Sequence, residues 1–150
     1  CRRGPRCAIE YQARLSGPLL DRIDIQLDVP PVTAADLALP PPVEGTAEAT
    51  ARVGRARDAQ SSRKAGLNAT LDLESLERVA APDAPGAALL AKAAESLSLS
   101  ARAYHRTLKV ARTIADLDGS DSVRRIHIAE ALSLKRQWAT PDQAGFARVS

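Results

Sequence analysis

Aromatic side chains are scarce in this sequence, with one Phe, one Trp and two Tyr among 150 residues, and methionine is absent. Hydrophobic types still make up 45% of the chain, much of it alanine. A core drawn from such residues must consist of many thin contacts between helices, which favours an Ala-rich helical assembly over a sandwich or barrel. Single-strand nucleic-acid binding by base stacking is disfavoured, because it needs aromatic platforms that the chain lacks. Cys1 and Cys7 are the two cysteines. Alone they cannot make a disulfide framework, and without a Cys or His nearby they cannot close a tetrahedral zinc site, so loop thiols and no metal site are expected. No apolar run approaches the roughly 18 residues that span a bilayer, and no charged-then-apolar leader opens the chain. A cytoplasmic location without membrane contact is the expectation. The sequence opens Cys1-Arg2-Arg3-Gly4, not with Met, so further sequence upstream is expected.

Positive charge is in slight excess, at +3 with an isoelectric point near 9.2. That permits a polyanionic partner without demanding one. In the stretch LSGPLLDRIDIQLDVP at 15–30, Ile23, Ile25, Leu27 and Val29 alternate with Asp24, Gln26 and Asp28. Period two predicts a short helical piece followed by a strand that ends at Pro30-Pro31. One strand cannot make a sheet, so its partners are expected upstream. Residues 31–45 read as a Pro-rich linker holding Pro31 and Pro40–Pro42, with one helical turn after Thr33.

After Gly45 the pattern turns helical throughout. Helices are predicted at 46–64, 73–79, 85–97, 100–117 and 125–137, followed by a flexible tail from 138 to 150. In the first, Ala49, Val53, Ala56 and Gln60 share a face, and Arg52, Arg55 and Arg63 lie on others. The helix 100–117 is the most informative. Ala101, Tyr104, Leu108, Ala111, Ile114 and Ala115 fall on one arc, opposed by Arg102, Arg106 and Lys109, with His105 and Arg112 at the flanks. One face is expected to pack and the other to meet solvent or anions, with Arg102 in the first turn, where a helix N-terminus also favours phosphate. His105 and His127 lack a partner at a telling spacing and are expected to pack or lie at the surface.

Four segments carry more than periodicity: SGPLLDRIDI at 16–25, LNATLD at 67–72, LSARAYHRTLKVARTIADLDGSDSV at 99–123 and HIAEAL at 127–132. In this order they resemble the C-terminal motifs of the magnesium-chelatase-like ComM/YifB family of AAA+ ATPases. The resemblance implies a mainly α chain: a helical AAA+ lid over 46–137, preceded over 1–30 by the last helix and strand of an αβα P-loop core. It implies a parent that assembles as a homo-oligomeric ring, a hexamer by expectation, with ATP and Mg2+ at subunit boundaries, and acts on DNA by branch migration or unwinding. Arg22, in Leu19-Leu20-Asp21-Arg22-Ile23-Asp24, matches the arginine finger that serves a neighbouring subunit. Arg102, in Ser100-Ala101-Arg102, matches the sensor-2 arginine that contacts nucleotide phosphate, and Arg106 is a second candidate one turn on.

Two departures accompany the match. Where the family caps its last helix with Ser or Thr, this chain has Arg124-Arg125, a change expected to weaken the helix start by roughly 1 kcal/mol. None of the four lysines, Lys64, Lys92, Lys109 and Lys135, follows a glycine, so no Gly-x-x-x-x-Gly-Lys-Ser/Thr loop is present to cradle phosphates. The chain by itself is therefore expected to bind nucleotide weakly and not to hydrolyse ATP. Two alternatives stand beside this reading: a non-enzymatic helical module that binds nucleic acid or protein through Arg52, Arg55, Arg57, Arg63 and Lys64, and a magnesium-chelatase subunit proper, against which the wording ARTIADLDGSD speaks.

Overall fold

The computed structural model describes Arg14, Leu19 and residues 22–27, 29–40 and 43–135. Six α-helices occur among them: α1 (Ala34–Leu37), α2 (Thr46–Ser62), α3 (Leu73–Val79), α4 (Ala84–Ser96), α5 (Ala101–Leu117) and α6 (Arg125–Ser133), with a 3-10 turn at Asn68–Thr70. The mainly α expectation holds, and each helix after Gly45 starts within a residue of its sequence prediction. The expected tail and the two cysteines lie outside the described residues.

The helix ends follow from local chemistry. Asp72 caps α3 by accepting the Ser75 N–H at 2.8 Å, Asp83 caps α4 through Gly86 N–H at 2.7 Å, and Ser100 caps α5 through Ala103 N–H at 3.1 Å. At the far end of α5, Gly119 takes φ +67°. The Ser120 and Gly119 amides then turn back to the Ala115 and Asp116 carbonyls at 2.8 and 3.2 Å, which satisfies the last carbonyls.

Helix α5 is the axis of the bundle and packs against α2, α3, the 3-10 turn and α6, while α4 packs on α6. The core joins Leu71, Leu76, Ala80, Leu90, Leu108, Ala111, Ala115, Val123, Ile128 and Ala131. Alanines dominate where helices touch, so backbones approach closely, and Leu76, Leu90 and Ile128 supply the bulk, each worth about 1.5–3 kcal/mol when buried. Gly86 marks the tightest approach, since a Cβ there would lie 2.7 Å from Asp83 Oδ1 and 3.3 Å from the Arg125 amide nitrogen.

The strand predicted at 23–29 is not formed. Among the described residues the single β pairing is an isolated bridge between Pro82 and Val123. Residues 23–27 lie along the bundle without a ladder, because among the described residues no neighbouring strand offers its backbone groups. The alternation survives as exposure: Ile23, Ile25, Leu27 and Val29 are exposed, whereas Asp24 and Gln26 are half-buried, Asp24 against Arg106 and Gln26 donating its N–H to the Leu134 carbonyl at 2.8 Å. The described residues of the linker, 31–40 and 43–45, are exposed throughout, and its one helical turn, α1, is closed by Thr33 and Asp36 capping each other.

Candidate functional site

The N-terminal half of α5 meets the segment that carries Arg22. Arg106 makes a two-pronged ion pair with Asp24, Nε to Oδ1 and Nη2 to Oδ2, the latter at 2.7 Å. The same Nη2 donates to the Arg22 carbonyl at 2.6 Å. A planar guanidinium fits this fork, and three bonds fix both distance and orientation. Arg102 precedes Arg106 by one helical turn and shares its face. Both Arg22 and Arg102 are exposed, and neither side chain has a hydrogen-bond or ion-pair partner among the described residues. The arrangement therefore holds two uncommitted cations near one end of one helix, with Arg106 committed between them.

The rest of the predicted basic face behaves differently. Lys109 donates to the carbonyls of Ala69 and Leu71 at 3.1 and 2.7 Å and closes the 3-10 turn. Arg112, expected at the flank, is instead the largest fully buried side chain. It reaches Asp116 Oδ1 at 2.9 Å and holds the Ser120 and Asp121 carbonyls at 2.5 and 2.9 Å. Asp116 also receives Arg63 at 2.7 and 2.6 Å and Asn68 Nδ2 at 2.7 Å. The buried stripe of α5 thus runs through Ala103, Thr107, Leu108, Ala111, Arg112, Ala115 and Asp116, and the packing expectation for Ala101 fails because it is exposed. Periodicity missed this because a buried arginine and aspartate neutralise each other only once both are folded.

Burial is the largest influence on Asp116 and pushes its carboxyl up, but hydrogen bonds from Arg63 and Asn68 and the charges of Arg112 and Arg63 outweigh it, leaving the pKa below the ordinary carboxylate range. His127, expected only to pack or lie at the surface, is fully buried with a defined task. Its Nδ1 accepts the Arg124 N–H at 2.9 Å, which assigns the hydrogen to Nε2, 3.2 Å from Asp118 Oδ2. The Arg124 side chain caps no first-turn amide, but the His127 ring satisfies the N–H of Arg124 itself, as the residue three positions on does in a capping box. The hydrogen bond from His127 is the chief reason that the Asp118 pKa is lowered.

Of the alternative basic surface on α2, Arg52 pairs with Glu44 at 3.0 Å and Arg63 with Asp116, which leaves Arg55, Arg57 and Lys64 exposed. Among the described residues no group of three or more His, Cys, Asp or Glu side chains could hold a metal ion. No helix there is long and apolar enough to cross a membrane.

Comparison with known proteins agrees with this architecture. The family described as magnesium chelatase, subunit ChlI C-terminal, matches residues 43–135, and that described as magnesium chelatase, subunit ChlI, matches residues 1–37. The competence protein ComM of Haemophilus influenzae is 39% identical over 135 residues, covering 89% of this chain and 26% of its own length. The YifB proteins of Escherichia coli and Salmonella typhimurium are 41% and 36% identical over 140 residues, each covering 87% of this chain and 26% of its own. The chain spans about a quarter of the length of these curated relatives. It belongs to the magnesium chelatase subunit ChlI C-terminal family, with ComM and YifB among its relatives.

Proposed function

From membership of this family as the premise, we propose that the chain is the lid and adjoining core edge of a ring-forming AAA+ ATPase that works on DNA, with Arg22 as an arginine finger and Arg102 as a phosphate-sensing lid residue. The observation that carries it is the Arg106 clamp. It gathers the backbone of Arg22 and the first turns of α5 into one place, and leaves the guanidinium groups of Arg22 and Arg102 exposed. An always-charged planar group suits the γ-phosphate of ATP. In phosphoryl transfer such a group stabilises charge that grows on the equatorial oxygens, and in comparable enzymes a finger is worth on the order of 10³–10⁵ in rate. ATP supplies the phosphoryl group and Mg2+ neutralises its charge when bound. The residues of this chain fit the anion, and the ligands of the metal are assigned to none of the described residues. Action on DNA follows from the motif resemblance in the sequence and is permitted by the net positive charge.

The test is complementation in mixed rings of the whole protein. An Arg22→Ala subunit keeps its own phosphate loop and should turn over ATP when an intact neighbour offers a finger, whereas a phosphate-loop lysine variant should not. Co-assembly of the two inactive variants should restore part of the activity. If mixed rings form and no turnover returns, Arg22 is not a finger acting between subunits.

A further inference from the structure

We propose that Arg106 and Asp24 form a latch that makes the position of Arg22 follow the helical bundle, so that Arg106 is a positioning residue and not a phosphate ligand; the proposal rests on the reading of Arg22 given above. Residues 22–27 are tied to the bundle, among the described residues, by two sets of hydrogen bonds. One is the fork from Arg106 to Asp24 and the Arg22 carbonyl, and the other is the Gln26 N–H to Leu134 bond. The covalent route between the two parts runs through the linker, which is exposed over residues 29–40. A chain of that kind transmits little orientation, so the side-chain fork carries the coupling.

The fork has the chemistry for this task. Two parallel charge-assisted bonds to one carboxylate set a plane, and the third bond reaches the backbone of the finger residue itself. Spending Nε and Nη2 on these acceptors leaves Arg106 without its paired donors for phosphate. Arg102, one turn earlier on the same face, stays open. Any shift of α5 when Arg102 engages phosphate is therefore passed through Arg106 to Asp24, and two residues back to Arg22. The pair keeps 32% and 39% side-chain exposure, so water competes for it and the latch can open and re-form during a cycle.

The experiment uses the whole ring-forming protein with Asp24→Asn, Arg106→Lys, the exchanged pair Asp24→Arg with Arg106→Asp, and Arg22→Ala. Hydrogen exchange over residues 22–27 reads the latch, and steady-state ATP hydrolysis reads its effect. Both single latch variants should speed exchange at 22–27 and leave α5 protected. They should lower kcat by about 10-fold or more, since a misplaced catalytic group of this kind costs up to 10²-fold per ångström, with KM for ATP held within about twofold. The exchanged pair should recover both readouts in part. Unchanged exchange in Asp24→Asn overturns the latch. Faster exchange with unchanged kcat, in a protein that Arg22→Ala inactivates, overturns its positioning role. If Arg22→Ala itself leaves turnover intact, the finger reading fails first, and the latch has no finger to place.

Discussion

Removing the Asp116 carboxylate puts the largest weight on the buried charge network. Its side chain is 1% exposed and Arg112 is 2% exposed, while Arg63 reaches in from the edge at 25%. In Asp116→Ala, Arg63 can swing into water, but Arg112 stays enclosed with carbonyl acceptors alone. Breaking a buried pair from one side costs about 3–5 kcal/mol, and the relief available to Arg63 places this case at about 3–4 kcal/mol. For a domain the size of residues 43–135, an unfolding entropy of ~2.1 cal/mol/K per residue sums to roughly 0.2 kcal/mol/K, so Tm should fall by about 15–20 °C. Circular dichroism at 222 nm during heating and in urea measures both quantities. Glu44→Ala is the internal control, because its pair with Arg52 is half-exposed and should cost about 1 kcal/mol or less. The pH dependence supplies a second arm. The folded Asp116 pKa lies below the unfolded value of about 3.9, so its contribution is complete above that pH and is lost as pH falls through it toward the folded value. Wild type should therefore lose stability more steeply than Asp116→Asn below about pH 4. A Tm shift under about 5 °C for Asp116→Ala, indistinguishable from Glu44→Ala, would refute the reasoning.

Gly86→Ala should destabilise by about 1–3 kcal/mol in urea titration, since its Cβ would collide with the Asp83 cap and the start of α6, whereas Gly54→Ala, in open space on α2, should stabilise by about 0.5–1 kcal/mol. His127→Ala removes the acceptor for the Arg124 N–H and should cost about 2–3 kcal/mol; the Asp118 carboxyl should also titrate at higher pH by NMR, because its chief stabilising hydrogen bond is gone. In the whole protein Arg102→Ala should weaken nucleotide affinity together with turnover, whereas Arg22→Ala should spare affinity, a contrast that equilibrium binding of a non-hydrolysable ATP analogue measures.

Much of the candidate site was legible as words and little of it as geometry. Arg22 and Arg102 stand out in the sequence because their neighbours spell recognisable segments, and helical periodicity places Arg106 one turn from Arg102. Nothing in the spacing pairs Arg106 with Asp24, 82 residues away. The segments LNATLD and ARTIADLDGSD hold Asn68, Arg112 and Asp116, whose shared role is a buried network and not a surface. Helical periodicity places Arg112 beside the anion-facing arc, because a lone arginine in water has no reason to enter a core.

The helix starts were set by the sequence alone, since caps at Asp72, Asp83 and Ser100, the turn at Gly119 and the period of the apolar residues act over a few positions, whereas the last helix, expected to 137, stops at Ser133. Which charges stay free was decided only in three dimensions. Lys109, Arg112, Arg63 and Arg106 each find acceptors 5 to 84 residues distant or across a turn, and Arg22 and Arg102 do not among the described residues. The same holds for residues 23–27, whose alternation is correct for a strand but whose ladder depends on neighbours that a local pattern cannot supply. Side-chain charge is a property of the residue, but its use depends on what the fold brings within about 3 Å of it.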